Sequence, residues 1–325
     1  MRPKRPRSKP RAPDPRRFLE DFAKELDRAV NEPFGTATLP SVLYHYTGWA
    51  AFDGIVRNRC FWATSHRHTN DKHEIQSADQ VALEVAERLR YRAGSSSAEN
   101  QLMTTFGKLF PERALAQITT IFLCCFSSAH DKQIHWRRYA DGGTGVCIGV
   151  KVLPSESPPE EPNVGRTFRQ VDYDRASWEQ RIERGFTNVI RVYERFLAGR
   201  APLPAREEAR IQSLRALARV AGMAALGAKH AEWSEEEEWR VLALWWRGKE
   251  TKAPTYTRQD GTVAEYMPLP MRARGRLLVL DEIIVGPRED FDSASTRATE
   301  ILQAAGYPSD DAPLPPIVRS RFSRG

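Results

Sequence analysis

Short β-branched and aromatic runs recur along this 325-residue chain at very unequal intervals, and that irregularity constrains the fold more than any other feature. Val42-Leu43-Tyr44-His45-Tyr46-Thr47 and Phe61-Trp62-Ala63-Thr64 stand close together, while Thr119 to Phe126, Gly145 to Val152 and Phe168 to Tyr173 come later. Glu238 to Trp245 and Arg276 to Val285 follow only after a long stretch of helical texture, and Pro316 to Phe322 closes the chain. In between, apolar residues repeat at helical spacing, as in Phe18, Phe22 and Leu26, in Ile75, Ala78, Ala82, Val85 and Leu89, and in Ile182, Val189, Val192 and Phe196. Further helices are expected at Trp49 to Arg57, Gln101 to Ala116, around Ile211 to Ala225, and at Asp292 to Ala305. Regular alternation of strand and helix builds a doubly wound parallel sheet, and insertions of unequal length do not. The expected fold class is therefore α+β, a mixed and largely antiparallel sheet with helical insertions. Neither G-x-G-x-x-G nor G-x-x-x-x-G-K-[ST] follows a strand, so the common phosphate-cradling loops are absent from the sequence.

Charge is distributed just as unevenly. The formal charge is +7, yet residues 1 to 17 alone hold eight basic residues, from Arg2 to Arg17, against the single acid Asp14. The body is thus neutral, and the basic isoelectric point describes an arm rather than a fold. Five prolines in the first 15 residues oppose both helix and burial, so residues 1–14 are expected to be a disordered arm able to meet nucleic acid. Residues 15–40 are expected to be an N-terminal helix and linker, and residues 41–325 one α+β domain with a helical insertion at about 175–231. No apolar run approaches the roughly 18 to 20 residues of a membrane span, and no secretory apolar segment follows the basic start. A cytoplasmic protein without membrane contact is expected, its four cysteines (Cys60, Cys124, Cys125 and Cys147) reduced and packed.

Four constellations could carry chemistry. On a strand, His45 and Thr47 share one face and Tyr44 and Tyr46 the other, and His45 reads either as a ligand-binding imidazole or as a buried histidine satisfied by a backbone carbonyl. Ser127 and the Trp136 to Tyr139 segment lead through Gly142, Gly143 and Gly145 into a strand, where the glycines either admit a ligand or supply a turn. In the acidic run Glu235 to Glu238, Glu236, Glu238 and Arg240 alternate at the entrance to an apolar strand, so a carboxylate could be held rigidly there beside an arginine that keeps it ionised. His66, His68, Asp71, His73 and Glu74 are dense but unpatterned, and no metal site is expected from them; Asn70 and Asp71 read as a helix cap.

In this order, Leu43 to Thr47, Asn70-Asp71-x-x-Glu74, Cys125-Phe126-Ser127 with Trp136-x-x-Tyr139-Ala140-Asp141, Gly145 to Gly149, Trp233-x-x-Glu236-x-Glu238-x-Arg240 and Ile283-Ile284-x-Gly286 resemble a bacterial family of unknown function, DUF2971. A strand His-x-Thr, a middle Ser or Tyr and a late Glu at a strand start are also similar to the arrangement of ADP-ribosyltransferases. That resemblance implies an ADP-ribosyltransferase-like fold, NAD as substrate, no metal and a macromolecular acceptor, in a toxin or phage-defence setting. It implies Glu238 as the catalytic carboxylate with His45 and Tyr139, and His45, Tyr46, Thr47, Ser127, Trp136, Glu236 and Arg240 as residues holding the dinucleotide. The alternatives are a noncatalytic nucleic-acid or protein-binding domain, and a hydrolase of a nucleotide or glycosidic bond using the same two carboxylates.

Overall fold

The computed structural model describes residues 15–35, 37–68, 72–94, 97–111, 119–152, 164–199, 203–246, 254–257, 261–270, 272–273, 276–308 and 313–322. The basic arm expected at residues 1–14 and the cap expected at Asn70 and Asp71 lie outside these residues. The helices are α1 (Pro15–Asn31), α2 (Trp49–Asn58), α3 (Lys72–Arg92), α4 (Ala98–Leu109), α5 (Gln133–Tyr139), α6 (Arg175–Ala198), α7 (Leu203–Gly227) and α8 (Phe291–Ala304). The strands are β1 (Val42–Thr47), β2 (Cys60–Ser65), β3 (Thr119–Ser127), β4 (Val146–Val152), β5 (Val164–Gln170), β6 (Glu238–Trp246), β7 (Thr255–Thr257), β8 (Val263–Pro270), β9 (Arg272–Ala273), β10 (Arg276–Val285) and β11 (Ile317–Arg319). None of the described helices is long and apolar enough to cross a membrane.

The chain forms two compact units. One is helical and gathers α1, most of α3, α4, α6 and nearly all of α7, so the stretch at 175–231 shares its core with segments far away in sequence. α1, α3, α6 and α7 contribute residues of the helical stripes expected there, and α4 adds its own. Phe22, Leu26 and Val30 of α1, Val85 and Leu89 of α3, Phe106 of α4, Ile182 and Phe186 of α6 and Leu217 of α7 are buried together. Phe106 and Phe186 meet edge to face at 5.1 Å. Pro15 opens α1, where a missing N–H costs nothing, and Ser97 caps α4 by accepting from the Asn100 N–H at 3.0 Å.

The second unit holds the sheet, mixed and mostly antiparallel, with β10 and β11 forming a parallel pair. From one edge the order is β11, β10, β4, β1 and β3; β6 and then β5 continue beyond β3. On its other edge β3 is shared, because β1 pairs with it at Tyr44↔Ser127 and β2 at Thr64↔Leu123 and Ser65↔Phe122. The sheet forks there, and β2 leads away into β8 and β7. One face, carrying Leu43, Phe61, Phe126, Ile148, Trp239 and Ile283, is buried under α2 and α8 through Phe52, Val56 and Leu302. The opposite face is more polar and is described below.

β5 lies at Val164–Gln170, four residues before the start expected at Phe168, and β11 is shorter than expected. β7, β8 and β9 were not foreseen at all. Pro268 and Pro270 argue against a strand by sequence, but they sit in the half of β8 that β7 does not pair with, where a missing N–H is tolerated.

The turn between α5 and β4 depends on close backbone approach. Gly142 (φ 69°) and Gly143 (φ 105°) occupy the left-handed region, as the turn reading expected. Gly286 donates to the Gly145 carbonyl at 2.9 Å, and a Cβ at Gly286 would run into the Gly143 and Gly145 carbonyl oxygens. Gly286→Ala is expected to lower stability by about 1–3 kcal/mol, since backbone cannot yield as a side chain does. Gly54→Ala in α2, where a Cβ meets nothing within 4 Å, should instead stabilise by about 0.5–1 kcal/mol. Chemical denaturation of both variants checks the contrast; equal stabilities would refute it.

Candidate functional site

Strand register sets one row of side chains across the polar face. Glu282 of β10, Gly149 of β4, Tyr44 of β1, Ser127 of β3 and Glu238 of β6 are successive cross-strand partners, so they point the same way. With strands about 4.8 Å apart, Tyr44 and Glu238 are separated by about 10 Å of sheet. Two residues along β3 and β6, Cys125 and Arg240 repeat the pairing.

Around Glu238 this face closes into a buried ionic cluster. Glu236, in a 3-10 turn at Ala231–Glu236, is 2% exposed, and Glu238 is 5% exposed. Between them Glu237 takes a left-handed conformation (φ 43°) that ends the turn and starts the strand. Lys229 Nζ bridges the two carboxylates, at 2.6 Å from Glu236 Oε2 and 2.9 Å from Glu238 Oε2. Arg240 donates to Glu238 from Nε at 2.7 Å and from Nη2 at 3.1 Å, and its Nη1 donates to the Leu226 carbonyl. Glu236 Oε1 accepts from Arg138 Nη1 and from the Tyr139 hydroxyl, both at 2.8 Å. Burial by itself would raise the Glu238 pKa, but Arg240, Lys229 and the Cys125 thiol outweigh it and hold the group at about 2.

A polar scaffold fixes the loop that carries these acids. Ser127 Oγ donates to the Glu236 carbonyl at 2.7 Å and accepts from the Ala129 N–H at 2.9 Å. The Glu238 N–H donates to the Tyr173 hydroxyl at 2.8 Å, and burial pushes that phenol up to about 12. At the rim, the Arg138 guanidinium lies 3.9 Å from the centre of the Trp233 ring and Tyr139 is 45% exposed. The His135 ring stacks on Tyr46 at 4.6 Å, with Nε2 buried and lacking a hydrogen-bond partner. Burial pushes the His135 pKa down, with Glu236 opposing, so the imidazole is neutral at physiological pH.

Ser127, Tyr139, Glu236, Glu238 and Arg240 are therefore brought together as expected, and Arg240 pairs with a glutamate. His45 and Thr47 are not brought to them. The register that aims Tyr44 at the Glu238 face sends His45 to the other face, against Phe61 and Phe126 at 5.2 and 5.5 Å. His45 Nδ1 donates to the Cys125 carbonyl at 2.9 Å, and burial lowers its pKa so that it is neutral. It is the carbonyl-satisfied histidine of the two readings, and the expectation that it works beside Glu238 in one site is corrected by strand pleat. Tyr46 and Trp136 lie on the right face but in its core, Tyr46 donating to the Ala129 carbonyl and Trp136 Nε1 to Asp131 at 2.6 Å. Cys125 is exposed, not packed, though Cys60, Cys124 and Cys147 are buried. Its thiol pKa stands well above the usual value through burial by surrounding atoms and the Glu238 charge, so it is a hydrogen-bond donor rather than a thiolate.

Lys229, Arg138, Tyr173 and His135 escaped the sequence reading. No motif marks Lys229, and only its place seven residues before Glu236 in one polar stretch hinted at it. Among the described residues no group of three or more His, Cys, Asp and Glu could hold a metal ion.

Residues 135–241 match the model of a protein family of unknown function, DUF2971. The matched span runs from α5 to β6 and includes Tyr139, Lys229, Glu236, Glu238 and Arg240. No curated protein and no solved structure matches the chain.

Removing the Glu238 charge takes from buried Arg240 the carboxylate it pairs with and leaves Lys229 with Glu236 alone, so Glu238→Gln should cost about 3–5 kcal/mol. Because the folded pKa is depressed, this stabilisation is present above about pH 4.5 and is lost as pH falls towards 2. Thermal melts of the wild type should drop more steeply over that interval than those of Glu238→Gln. Parallel pH profiles would show that the carboxylate is not held as described.

Proposed function

We propose that this face binds NAD and transfers its ADP-ribosyl group to a macromolecular acceptor. The observation that carries the reading is a carboxylate, Glu238, kept ionised on a rigid strand start directly behind a rim of Tyr139, Trp233 and Arg138. Cleavage of the nicotinamide–ribose bond leaves its electron pair on the departing nicotinamide and a cationic sugar, which a fixed anion stabilises without a metal. The acceptor's nucleophile then bonds to that carbon and gives up its proton. Trp233 and Tyr139 offer rings for a flat base, and Arg138, paired with Glu236, and Lys132, which pairs with Glu237 just before α5, offer charge for the diphosphate. Ser127 and Tyr173 keep Glu236 and Glu238 in place. His45 has no part in this version of the site.

A second reading, recognition without chemistry, is favoured by one observation. Four donors, two from Arg240 and one each from Lys229 and Cys125, already saturate Glu238. In the catalytic reading Lys229 must turn wholly to Glu236 when a ribose hydroxyl arrives, and in the second it never does.

Nicotinamide release and NAD binding, measured with the full chain and candidate acceptors, separate the two. Catalysis predicts turnover that falls at least about a hundredfold in Glu238→Gln. Tyr139→Phe, which removes one donor to Glu236 while Arg138 and Lys229 still hold that carboxylate, should keep the fold and weaken turnover about tenfold. Binding of NAD without turnover supports the second reading, and no NAD binding under any acceptor condition rejects the first.

A further inference from the structure

The wing of the sheet beyond the fork carries an aromatic cluster that neither core uses. Trp62 of β2 lies 4.6 Å from Tyr266 of β8 and 5.4 Å from Tyr256 of β7, and the two tyrosines meet edge-on at 5.8 Å. Register puts these rings on the polar face. Thr64 pairs with Leu123 on one side and Tyr266 on the other, and Leu123 shares its face with Cys125 and Ser127. The alternate residues Phe61, Ala63, Met267 and Leu269 point the other way and fill the buried core. Trp62 is 45% exposed and both tyrosines are half-buried, at positions where a half-solvated sheet usually shows polar side chains.

Charge identifies the partner. The sequence from 247 to 276, which supplies β7, β8 and β9 and their connections, holds seven arginines and lysines against Glu250, Asp260 and Glu265. Arg258 falls in the β7–β8 connection, and Arg272, Arg274 and Arg276 surround the join of β9 to β10. The body of the chain is neutral as a whole, so this stretch of sequence, which contains the strands bearing Tyr256 and Tyr266, carries an excess of positive charge. An apolar protein surface would match the rings but not the charge, and duplex DNA would match the charge but keep its bases stacked internally. A single strand offers both phosphates and free base faces.

We infer that the Trp62–Tyr256–Tyr266 cluster is a stacking platform for single-stranded nucleic acid. Bases lie on the rings, and the net positive charge of the 247–276 sequence favours a phosphate-bearing partner. The inference is independent of NAD chemistry, and it places the strand on the same face of the sheet as Glu238. It is also distinct from the N-terminal arm, which offers charge without aromatic rings.

Fluorescence anisotropy with labelled 12-residue oligo(dT), oligo(U) and a matched DNA duplex tests it, without NAD, on the full chain and on a variant lacking residues 1–14. Single strands should bind more tightly than the duplex, with affinity falling as salt rises. Trp62→Ala should weaken single-strand binding at least about tenfold in both backgrounds, with Trp62→Phe restoring it to within about threefold. Tyr256→Ala, on the short outer strand β7, gives a second reading if Trp62→Ala melts early. Tyr91→Ala, an exposed tyrosine of the helical unit, should change nothing. The platform is refuted if single strands do not bind at low salt, if Trp62→Ala and Tyr256→Ala bind as the wild type does, or if deleting residues 1–14 abolishes binding by itself. None of these outcomes depends on whether NAD is consumed.

Discussion

Two carboxylates lose their water on one face of this sheet, and cations and donors must replace it or the fold cannot hold them. Glu236 and Glu238 meet that requirement with Lys229, Arg240, Arg138 and Tyr139, which come from the segment after α7, from β6 and from α5. The arrangement also fixes register. A one-residue slip of β6 against β3 would turn Glu238 and Arg240 towards Phe126 and Phe61 and expose Trp239 and Val241. That slip would bury unpaired charge in an apolar core and leave Lys229 without either acid. Because β5 pairs with β6 and Tyr44 is set by Ser127, the ion cluster indirectly aligns much of the sheet.

The fork at β3 poses a smaller version of the same problem. Where β1 and β2 separate, part of the β3 edge has no strand among the described residues to donate to it, and the carbonyls there need other donors. Two histidines supply them: His45 Nδ1 reaches the Cys125 carbonyl at 2.9 Å and His66 Nδ1 the Ile121 carbonyl at 3.1 Å. At His45 burial keeps the imidazole neutral, which suits the task, since it brings a donor without a charge to desolvate. The histidine of the His-x-Thr pattern on β1 is thus accounted for by sheet geometry.

What could be read from the sequence was whatever depends on local periodicity. Strands β1, β3, β4, β6 and β10 and the stripes of α3, α6 and α7 announce themselves by alternation or by 3.6-residue repeats, and the alternation of Glu236, Glu238 and Arg240 correctly put three charges together. Failures share one cause, which is that a strand pattern says which residues share a face but not which face meets which neighbour. His45 and Glu238 were each placed on a strand, and only pairing through β3 reveals that they point apart. β8 was hidden because its prolines stand where, among the described strands, only β2 pairs with it, a fact of tertiary structure. Lys229 carries no local signature, and its role exists only once the turn at 231–236 folds back.

The polar face also shows how environment gives like groups different characters. Glu238 lies sealed between cations and stays ionised to about pH 2. Glu282, in the same row four strands away, sits half-open beside His130 Nε2 at 3.3 Å and the Tyr44 hydroxyl, whose pKa burial and Glu282 raise to about 12. Gly149 makes that second meeting possible, because a Cβ there would stand 2.9 Å from Glu282 Cγ and 3.3 Å from the Tyr44 ring. One end of the row is therefore a closed electrostatic lock and the other an adaptable set of donors and acceptors. A rigid charge needs saturation to be buried, and a group that exchanges partners needs water nearby, so the unsaturated side chains of this face must lie at its rims.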